Sequence, residues 1–341
     1  MLELSVRKDG AGSYRTLTEA VQSVPYGTPA TIRIGEGLFE EKLFSEKKHL
    51  RLIGSGRDAT VLRWADGAFR THADGTPNGT FRSYTAFFGG ECVNVSHLTI
   101  ENTSGIGDGQ AVAVYADAAY VYMEDVALRS RQDTLFCAPL PQRERQPRGF
   151  YGPRVFAPRV LTRQYYRDCH IAGDVDFIFG GADAVFEGCT LESLERGEPI
   201  NGYVVAPSGE ADGLGFVLMD CRLTGACGAG TVYLGRPWRE HGKAVLLGCE
   251  LGGHIHAEGW ARWPGEVQAP VAFFAEGGCY GAGAGTGQRA NWACALDCAE
   301  ERDWRERAQA HAQAVTRRAA TTPRRSGKGS RGNAPCQVSK G

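Results

Sequence analysis

Nowhere does the chain of 341 residues string together the roughly 18 apolar residues that a membrane-spanning helix needs. Its charges nearly cancel: 38 Lys and Arg stand against 39 Asp and Glu, so it lacks the basic field that a nucleic-acid binder spreads over its body. The opening stretch MLELSVRKDGAGSYRTLTEAVQ has neither the apolar run nor the small-residue cleavage site of a secretory leader. That predicts a cytoplasmic protein, secreted only if the amino terminus is incomplete. No GxSxG elbow is present, so nothing points to serine ester hydrolysis. The glycine-rich GCYGAGAGTG follows no βαβ strand and lacks the Lys-Ser/Thr pair of a phosphate loop, which argues against nucleotide binding. What remains, with 42% hydrophobic and 23% charged residues, is the composition of a soluble globular protein able to bury a sizeable core.

Eleven cysteines are many, yet their placement does not read as a disulfide scaffold. Cys169, Cys189, Cys221 and Cys249 stand in CHI, CTL, CRL and CEL, each two residues before an isoleucine or leucine. This is the alternation of an inward strand position, where a free thiol packs as a small hydrophobe and stays reduced in the cytosol. The surrounding text repeats the pattern. From TIRIGEG through CVNVSHLTIENTSG and AYVYMEDVALRSR to KAVLLGCELGG, short apolar runs are punctuated by Gly, Asn, Asp and Ser. The central residues Leu98, Val126, Cys169, Cys189, Cys221 and Cys249 lie 28, 43, 20, 32 and 28 apart. Strand repeats at such intervals, without helices between them, predict an all-β solenoid, a parallel β-helix whose coils bury their inner side chains only by stacking. A β-sandwich is the competing fold.

The ends and one interior stretch depart from the repeat. Thr16 and Glu19 form a capping box, and Leu17, Ala20, Val21 and Val24 fall at helical spacing, which predicts a short helix lying over the open end of the core. Residues 137–164 are rich in Pro and Arg and lack alternation; they should form a long surface excursion with a possible strand near Val160. EERDWRERAQAHAQAV reads as one terminal helix, and from Arg317 onward there are seven Lys and Arg and no acidic residue. The expected organisation is a β-helix domain over residues 1–310 and a basic, disordered tail over 311–341.

Groups able to do chemistry interrupt the strand text. They are Gln110 in GQAVA, Gln132 and Asp133 in SRQDTLF, and Asp174, Asp176 and Asp183 in GDVDFIFGGAD; YLGRPWREH adds Arg236 and Trp238. On a stacked solenoid such distant segments share one face. Val, Phe, Ile and Phe surround Asp176, and an ionised carboxylate so buried needs a cation. The fork of Arg236 suits it and would hold it ionised and oriented, as a nucleophile requires. The same two residues would equally make a plain ion pair between coils. Asp133, with no arginine of its own, would feel burial and like-charge repulsion, which raise its pKa and suit it to the acid role; a turn-forming aspartate would look the same. Gln110 and Gln132 offer neutral amide donors for charge on an ester oxygen, or simply a ladder of stacked amides. Trp238, Trp260, Phe177 and Tyr233 offer flat faces to sugar rings, although packed core aromatics are commoner, and Trp263 has the same two readings. His254, His256 and Glu258 in HIHAE fall on one side of an extended strand, but no fourth ligand is evident; CALDC has the same shortfall, and no metal is expected.

These residues carry a resemblance. GSYRTLTEAV at 12–21, GQAVA at 109–113, RQDTLF at 131–136, YYRDCHIAGDVDFIFGGADAVFEGC at 165–189, VYLGRPW at 232–238 and AEGWARW at 257–263 occur in one order, and together they resemble the pectin methylesterase (pectinesterase) family over residues 8–293. The resemblance implies a right-handed parallel β-helix and a carboxylic ester hydrolase that releases methanol from methylated polygalacturonate or oligogalacturonides. It implies Asp176 as nucleophile, Asp133 as general acid/base, Gln132 and Gln110 as oxyanion donors, and Arg236 as the group that orients Asp176 and keeps it ionised. Trp238, Trp260 and Phe177, with Tyr233 beside them, would line the sugar groove. No cofactor or metal is implied, and the partner is the methylated pectin substrate, with no nucleic acid or membrane and with the chain acting as a monomer. Lacking a leader, the chain looks like a bacterial-type member.

It also departs from the family. Gln110 is followed by AVAVY where members commonly read QAVALR, so Tyr115 stands in place of an arginine. The stretch after RQDTLF is longer than in the compact plant enzymes, and Asp174 replaces the common threonine near the nucleophile, adding a negative charge. A polysaccharide lyase or glycosidase on the same solenoid is one rival reading, and a non-catalytic carbohydrate-binding β-helix is another. A lyase would want clustered carboxylates for calcium, and a glycosidase two carboxyl groups flanking a glycosidic bond.

Overall fold

In the computed structural model, which describes residues 1–263, 265 and 271–320, the chain winds as a right-handed parallel β-helix. Seven successive coils each give one strand to a sheet in strict chain order: Leu43–Ser45, Ala86–Phe88, Val114–Ala116, Leu135–Cys137, Val175–Gly180, Gly202–Pro207 and Val232–Gly235. Each pairs in parallel with the strand one coil away, which a sandwich of antiparallel strands does not do. The remaining strands form a larger sheet, also with parallel ladders. Along the seven-stranded sheet Leu43, Ala86, Val114, Leu135, Ile178 and Val205 face the interior, while Phe87, Tyr115, Phe136, Phe179 and Ala206 face out. Parallel, in-register pairing stacks like positions on like. The outward aromatics therefore meet edge to face or tilted, with ring centroids 4.9 Å apart for Phe87–Tyr115, 4.7 Å for Tyr115–Phe136 and 4.9 Å for Phe136–Phe179.

The cysteine-centred repeat is a corner of the coil. His97, Asp125, Asp168 and Asp220 take φ of 51–56°, and Gly188, Gly248 and Gly278 take 62°. This left-handed region is open to glycine and tolerated by aspartate and histidine, and it turns the chain between two strand segments. The next residue in each coil points inward: Leu98, Val126, Cys169, Cys189, Cys221, Cys249 and Cys279. The thiols stack in one column, which Cys279 extends beyond the four expected. Cys189, Cys221 and Cys249 donate to the carbonyls of Tyr166, Phe186 and Leu218 in the coil before, each at 3.4 Å. All ten described cysteines are free.

Helix α1 (Leu17–Ser23) lies over the first coil with Leu17, Ala20 and Val21 buried. Its cap is only half the expected box. Thr16 Oγ1 accepts from the Glu19 N–H at 3.2 Å, but the Leu17 and Thr18 N–H groups donate to the Glu41 carboxylate at 3.0 and 2.8 Å. Helix α2 (Cys298–Ala320) runs straight through the boundary expected after residue 310. Its Trp304, Ala308, Ala312 and Val315 recur every three or four residues and pack on Tyr122, Tyr165, Val217 and Leu247, on the outer face of the larger sheet. That burial is why the helix outlasts the segment whose pattern predicted it. The basic tail beyond Ala320 lies outside the described residues. No described helix is long and apolar enough to cross a membrane.

The excursion leaves the strand Leu135–Cys137 and returns in the strand Arg163–Arg167, with no strand between them. Val160 is exposed rather than in a strand, because Pro158 and Arg159 tie the local chain into turns; Arg159 donates to the carbonyls of Arg154, Val155 and Ala157. The segment folds back over the aromatic column, burying Leu140 and Phe150 there. Arg154 fastens it to Asp117 at 2.5 Å and Glu46 at 3.2 Å.

Candidate active site

Beside that aromatic column the coil geometry turns two carboxylates outward. Between Val175 and Ile178 the ladder with the next coil slips, and Asp176, at φ 49°, is the left-handed residue of the bulge. The slip puts Phe177 and Ile178, consecutive residues, both in the interior and leaves Asp176 facing out. Gly173 makes this possible, since a Cβ there would lie 2.3 Å from the Cβ of Phe177. One coil earlier, Asp133 also has a left-handed backbone, φ 66°, and its N–H donates to the Val175 carbonyl at 3.0 Å. Non-glycine residues in this region cost on the order of 1–3 kcal/mol each, and here the surrounding coils hold them there.

Arg236 follows the strand Val232–Gly235 and anchors its backbone on the Val205 carbonyl at 3.0 Å. Its side chain reaches back two coils to Asp176, donating from Nε to Oδ1 at 3.0 Å and from Nη2 to Oδ2 at 2.7 Å. The guanidinium also lies 3.8 Å from the ring centre of Tyr203 and 4.4 Å from that of Trp263. A two-pronged charged pair between aromatic rings leaves the fork little freedom. Gln110 and Gln132 lie on adjacent coils, with the Ala111 N–H donating to the Gln132 carbonyl at 3.0 Å. Both amide side chains line a cavity of about 350 Å³ together with Asp133, Asp176 and Arg236.

The two carboxyl groups differ electrostatically. Burial pushes Asp133 well above the usual carboxylate range, and the charge of Asp176 pushes the same way; Arg236 pulls against them, Asp174 adds a smaller push, and a hydrogen bond with Gln132 a smaller pull. Burial also raises Asp176, but there Arg236 opposes it through charge and hydrogen bonds. Asp133 is thus the more readily protonated of the two, while Arg236 favours the charged form of Asp176. Asp174 is buried, its Oδ1 accepting from the Val175 N–H at 2.7 Å, and burial raises its carboxyl as well. A fixed carboxylate, a carboxylic acid and two amides around one cavity can together serve as nucleophile, proton donor and oxyanion donors toward an acyl group.

Of the nine residues expected at a site, six meet at this cavity: Asp176, Asp133, Gln132, Gln110, Arg236 and Trp238. Phe177 and Trp260 do not line it, contrary to expectation; they are 0% and 1% exposed and belong to the interior. The bulge accounts for Phe177. Trp260 continues the inward column through its bridge with Gly235, packs edge-on against Phe274 at 4.8 Å, and donates to Glu276 at 3.0 Å. Tyr233 is stacked between Tyr203 (5.6 Å) and His256 (4.3 Å), so it props the ring under Arg236 rather than facing the cavity. In HIHAE, His254 is buried, His256 joins that stack and Glu258 accepts from the Tyr233 hydroxyl at 3.4 Å. No three His, Cys, Asp or Glu gather to hold a metal among the described residues. Asp183 accepts from the Gly215 N–H and is structural.

Sequence reasoning missed Tyr203, Phe81, Phe150, Phe179, Arg145 and Arg239. Tyr203 pairs in register with Tyr233, and Phe179 sits at an outward position, so counting coils would have found both. Phe150 and Arg145, in the aperiodic excursion, carry no such signal.

The chain matches the pectinesterase family profile over residues 3–148 and 159–311. It is 32% identical over 301 residues to a pectinesterase/pectinesterase inhibitor of Prunus persica, covering 84% of this chain and 52% of that one. It spans about half the length of that protein and of two related Arabidopsis thaliana proteins, but 85% of Pectinesterase 31 from Arabidopsis thaliana, at 29% identity over 84% of this chain. Among solved structures, the pectin methylesterase from carrot superimposes with a TM-score of 0.75 at 26% identity, covering 92% of this chain and 95% of that one. PemA from Erwinia chrysanthemi gives 0.70 at 26%, covering 89% and 94%, and a pectin methylesterase in complex with a hexasaccharide gives 0.71 at 26%, covering 89% and 95%.

Proposed function

This chain belongs to the pectinesterase family, and on that footing we propose that it hydrolyses the methyl esters of galacturonate units in pectin or oligogalacturonides and releases methanol. The observation that carries the reading is Asp176, held by the fork of Arg236 in one small cavity with the acid Asp133 and the amides of Gln110 and Gln132. A carboxylate oxygen of Asp176 attacks the C6 carbonyl, and the electron pair displaced onto the carbonyl oxygen rests on the two amides. As the tetrahedral species collapses, the C–OCH3 bond breaks and Asp133 gives its proton to the leaving oxygen, forming methanol and an acyl-Asp176 anhydride. Asp133, now ionised, takes a proton from water while the hydroxyl adds to the acyl carbon. Breakdown of that adduct frees Asp176 and leaves the galacturonate as its free acid. Arg236 keeps Asp176 charged and aimed throughout. Every step runs on side chains of this one chain, which suits a monomer without a cofactor. The buried thiol column suits a reducing compartment, so we read the protein as a bacterial-type, cytoplasmic member.

The test is methanol release from methylated oligogalacturonides of defined length by the purified protein. The expected result is methanol with no change in chain length and no new ultraviolet-absorbing double bond. Shortened chains or unsaturated ends without methanol would transfer the site to a glycosidase or a lyase.

A further inference from the structure

Gln110 owes its place to no strand. The ladder of the seven-stranded sheet resumes only at Val114, and Gly109 turns the chain at φ 75° just before Gln110. Residues 110–113 are irregular backbone, yet Ala111, Val112 and Ala113 are 0% exposed. Buried peptide groups outside a ladder need other partners, and those of Ala111 and Val112 all have one. The Ala111 N–H donates to the Gln132 carbonyl at 3.0 Å, and the Ala111 carbonyl accepts from Ser130 Oγ. The Val112 N–H donates to Ser83 Oγ at 3.0 Å, and the Val112 carbonyl accepts from the Thr85 N–H at 3.0 Å and from Asn102 Nδ2 at 3.1 Å. The Gln110 carbonyl accepts from the Ala68 N–H at 2.8 Å. Asn102 joins these clamps. It is buried, and Nδ2 also donates to the carbonyls of Asp66 at 2.9 Å and Ser83 at 2.8 Å. Its Oδ1 accepts from the N–H groups of Asp66 at 3.3 Å and Ser104 at 3.1 Å. Asp66 lies two residues before Ala68, and its carboxylate is fixed by Lys42 Nζ at 2.5 Å and by Asn78 Nδ2. One side-chain amide thus binds the stretch that holds the Gln110 carbonyl, the serine that holds Val112, and Val112 itself. Asn102 does not line the cavity.

We propose that Asn102 is a positioning residue for ester cleavage: by tying Asp66, Ser83 and Val112 into one unit, it sets the backbone from which the Gln110 amide reaches the oxyanion. The inference rests on the esterase reading for the role of Gln110. A side-chain amide is aimed no better than its own Cα is held, and the worth of an oxyanion donor depends on that aim. A misplacement of about 1 Å costs on the order of 10²-fold. Removing the Asn102 amide takes a partner from three carbonyls and two N–H groups. Those groups regain partners only by admitting water, and the irregular backbone at Gln110, which no ladder holds, is what gives way. The loss has a ceiling. It cannot exceed the loss from deleting the Gln110 amide itself.

The experiment is a double-mutant cycle on methanol release from methylated hexagalacturonate, with wild type, Asn102→Ala, Gln110→Ala and the double variant, alongside amide hydrogen exchange over residues 109–113. Asn102→Ala should lower kcat by about 10–10²-fold with KM little altered, because the donor it aims acts on charge present only in the transition state. On the Gln110→Ala background the same change should cost less than about threefold, since there is no amide left to aim. Exchange at 109–113 should quicken. A residue that merely supports the fold would lower kcat by the same factor on both backgrounds, and that result overturns the proposal, as does a folded Asn102→Ala with wild-type kcat. Circular dichroism checks the fold. If Asn102→Ala does not fold, Asn102→Ser, which keeps one hydroxyl donor, takes its place in the same cycle and is judged by the same two outcomes. A Gln110→Ala enzyme with normal kcat removes Gln110 from the oxyanion site and the proposal with it. A wild-type protein that releases no methanol defeats the esterase reading instead. Exchange at 109–113 in wild type and Asn102→Ala then judges the tie by itself, and unchanged exchange overturns it.

Discussion

Exchanging Arg236 for methionine removes the guanidinium from Asp176 while keeping much of the aliphatic bulk. Both partners are less than a tenth exposed, and the two bonds of 3.0 and 2.7 Å are lost together. Breaking a buried pair from one side costs about 3–5 kcal/mol, because the other charge is left without a partner. Asp176 has one escape, which is to take up a proton. Burial already pushes its carboxyl up and Arg236 opposes that push, so without Arg236 the folded-state pKa rises further above the unfolded value. A carboxyl raised in this way contributes stability that is fully present below the unfolded pKa and is lost as pH climbs through the folded one. The deficit of Arg236→Met relative to wild type should therefore be full at and above neutral pH and shrink in acid. Denaturant unfolding of wild type, Arg236→Met, Asp176→Asn and the double variant, at about pH 7.5 and about pH 4.5, reads this directly. At the higher pH the single Arg236 variant should lose about 3–5 kcal/mol and the double variant less. In acid the gap should narrow toward the lost contacts with Tyr203 and Trp263, about 1–2 kcal/mol. Methanol release should fall by at least about 10²-fold, since the nucleophile is neither charged nor aimed. Near-wild-type stability at the higher pH, or a deficit that grows in acid, would refute the electrostatic account. Undiminished methanol release would take Arg236 out of the catalytic machinery and leave it a structural tie between coils.

Asp133→Asn should cost about 10²–10⁴ in kcat through loss of the acid. The same change should stabilise the fold at neutral pH and not in acid, because a carboxyl raised by burial loses stability as pH rises through its folded-state pKa; unfolding at the two pH values checks the sign. Asp174→Asn removes a charge that raises Asp133, so the alkaline limb of the pH–kcat/KM profile, where the acid is lost, should move to lower pH; a stationary limb would clear Asp174 of any part in tuning. Gln132→Ala should lower kcat by about 10²–10³ with KM little altered, and a normal kcat would take Gln132 out of the oxyanion site. Thiol titration of the denatured, unreduced protein should find Cys169, Cys189, Cys221 and Cys249 all free, whereas the native protein reacts first at the exposed Cys294 and Cys298; disulfides among the four would argue against a reducing compartment.

The coil repeat is legible in the sequence because one inward position per coil carries a chemical tag, a cysteine two residues ahead of a leucine or isoleucine. Less visible is what precedes it: His97, Asp125, Asp168 and Asp220 look like ordinary polar surface residues, and their left-handed backbone is imposed by the corner. The carboxyl pair is legible for an energetic reason, since an aspartate set among Val, Phe, Ile and Phe demands a partner. The aromatic roles are not, because alternation sets the face only while the ladder stays in step. The bulge at Asp176 inserts a residue and sends Phe177 inward, and in AEGWARW no strand fixes which tryptophan points where, so Trp260 is buried and Trp263 lines the cavity. The excursion has no period at all, so its contribution to the cavity wall could not be read from the text.

The short helix at the first coil bears on a hazard peculiar to this architecture. Every coil offers its backbone as a template for the next, and an uncovered end coil offers the same edge to any other molecule of the protein. Growth end to end would be filament formation, driven by the same pairing that builds the fold. Leu17, Ala20 and Val21 cover that end with side chains that continue no ladder, and the two bonds that the Leu17 and Thr18 N–H groups donate to Glu41 keep the cover in place. The stack is finite where its last apolar surface meets a helix, which cannot be copied into a further coil.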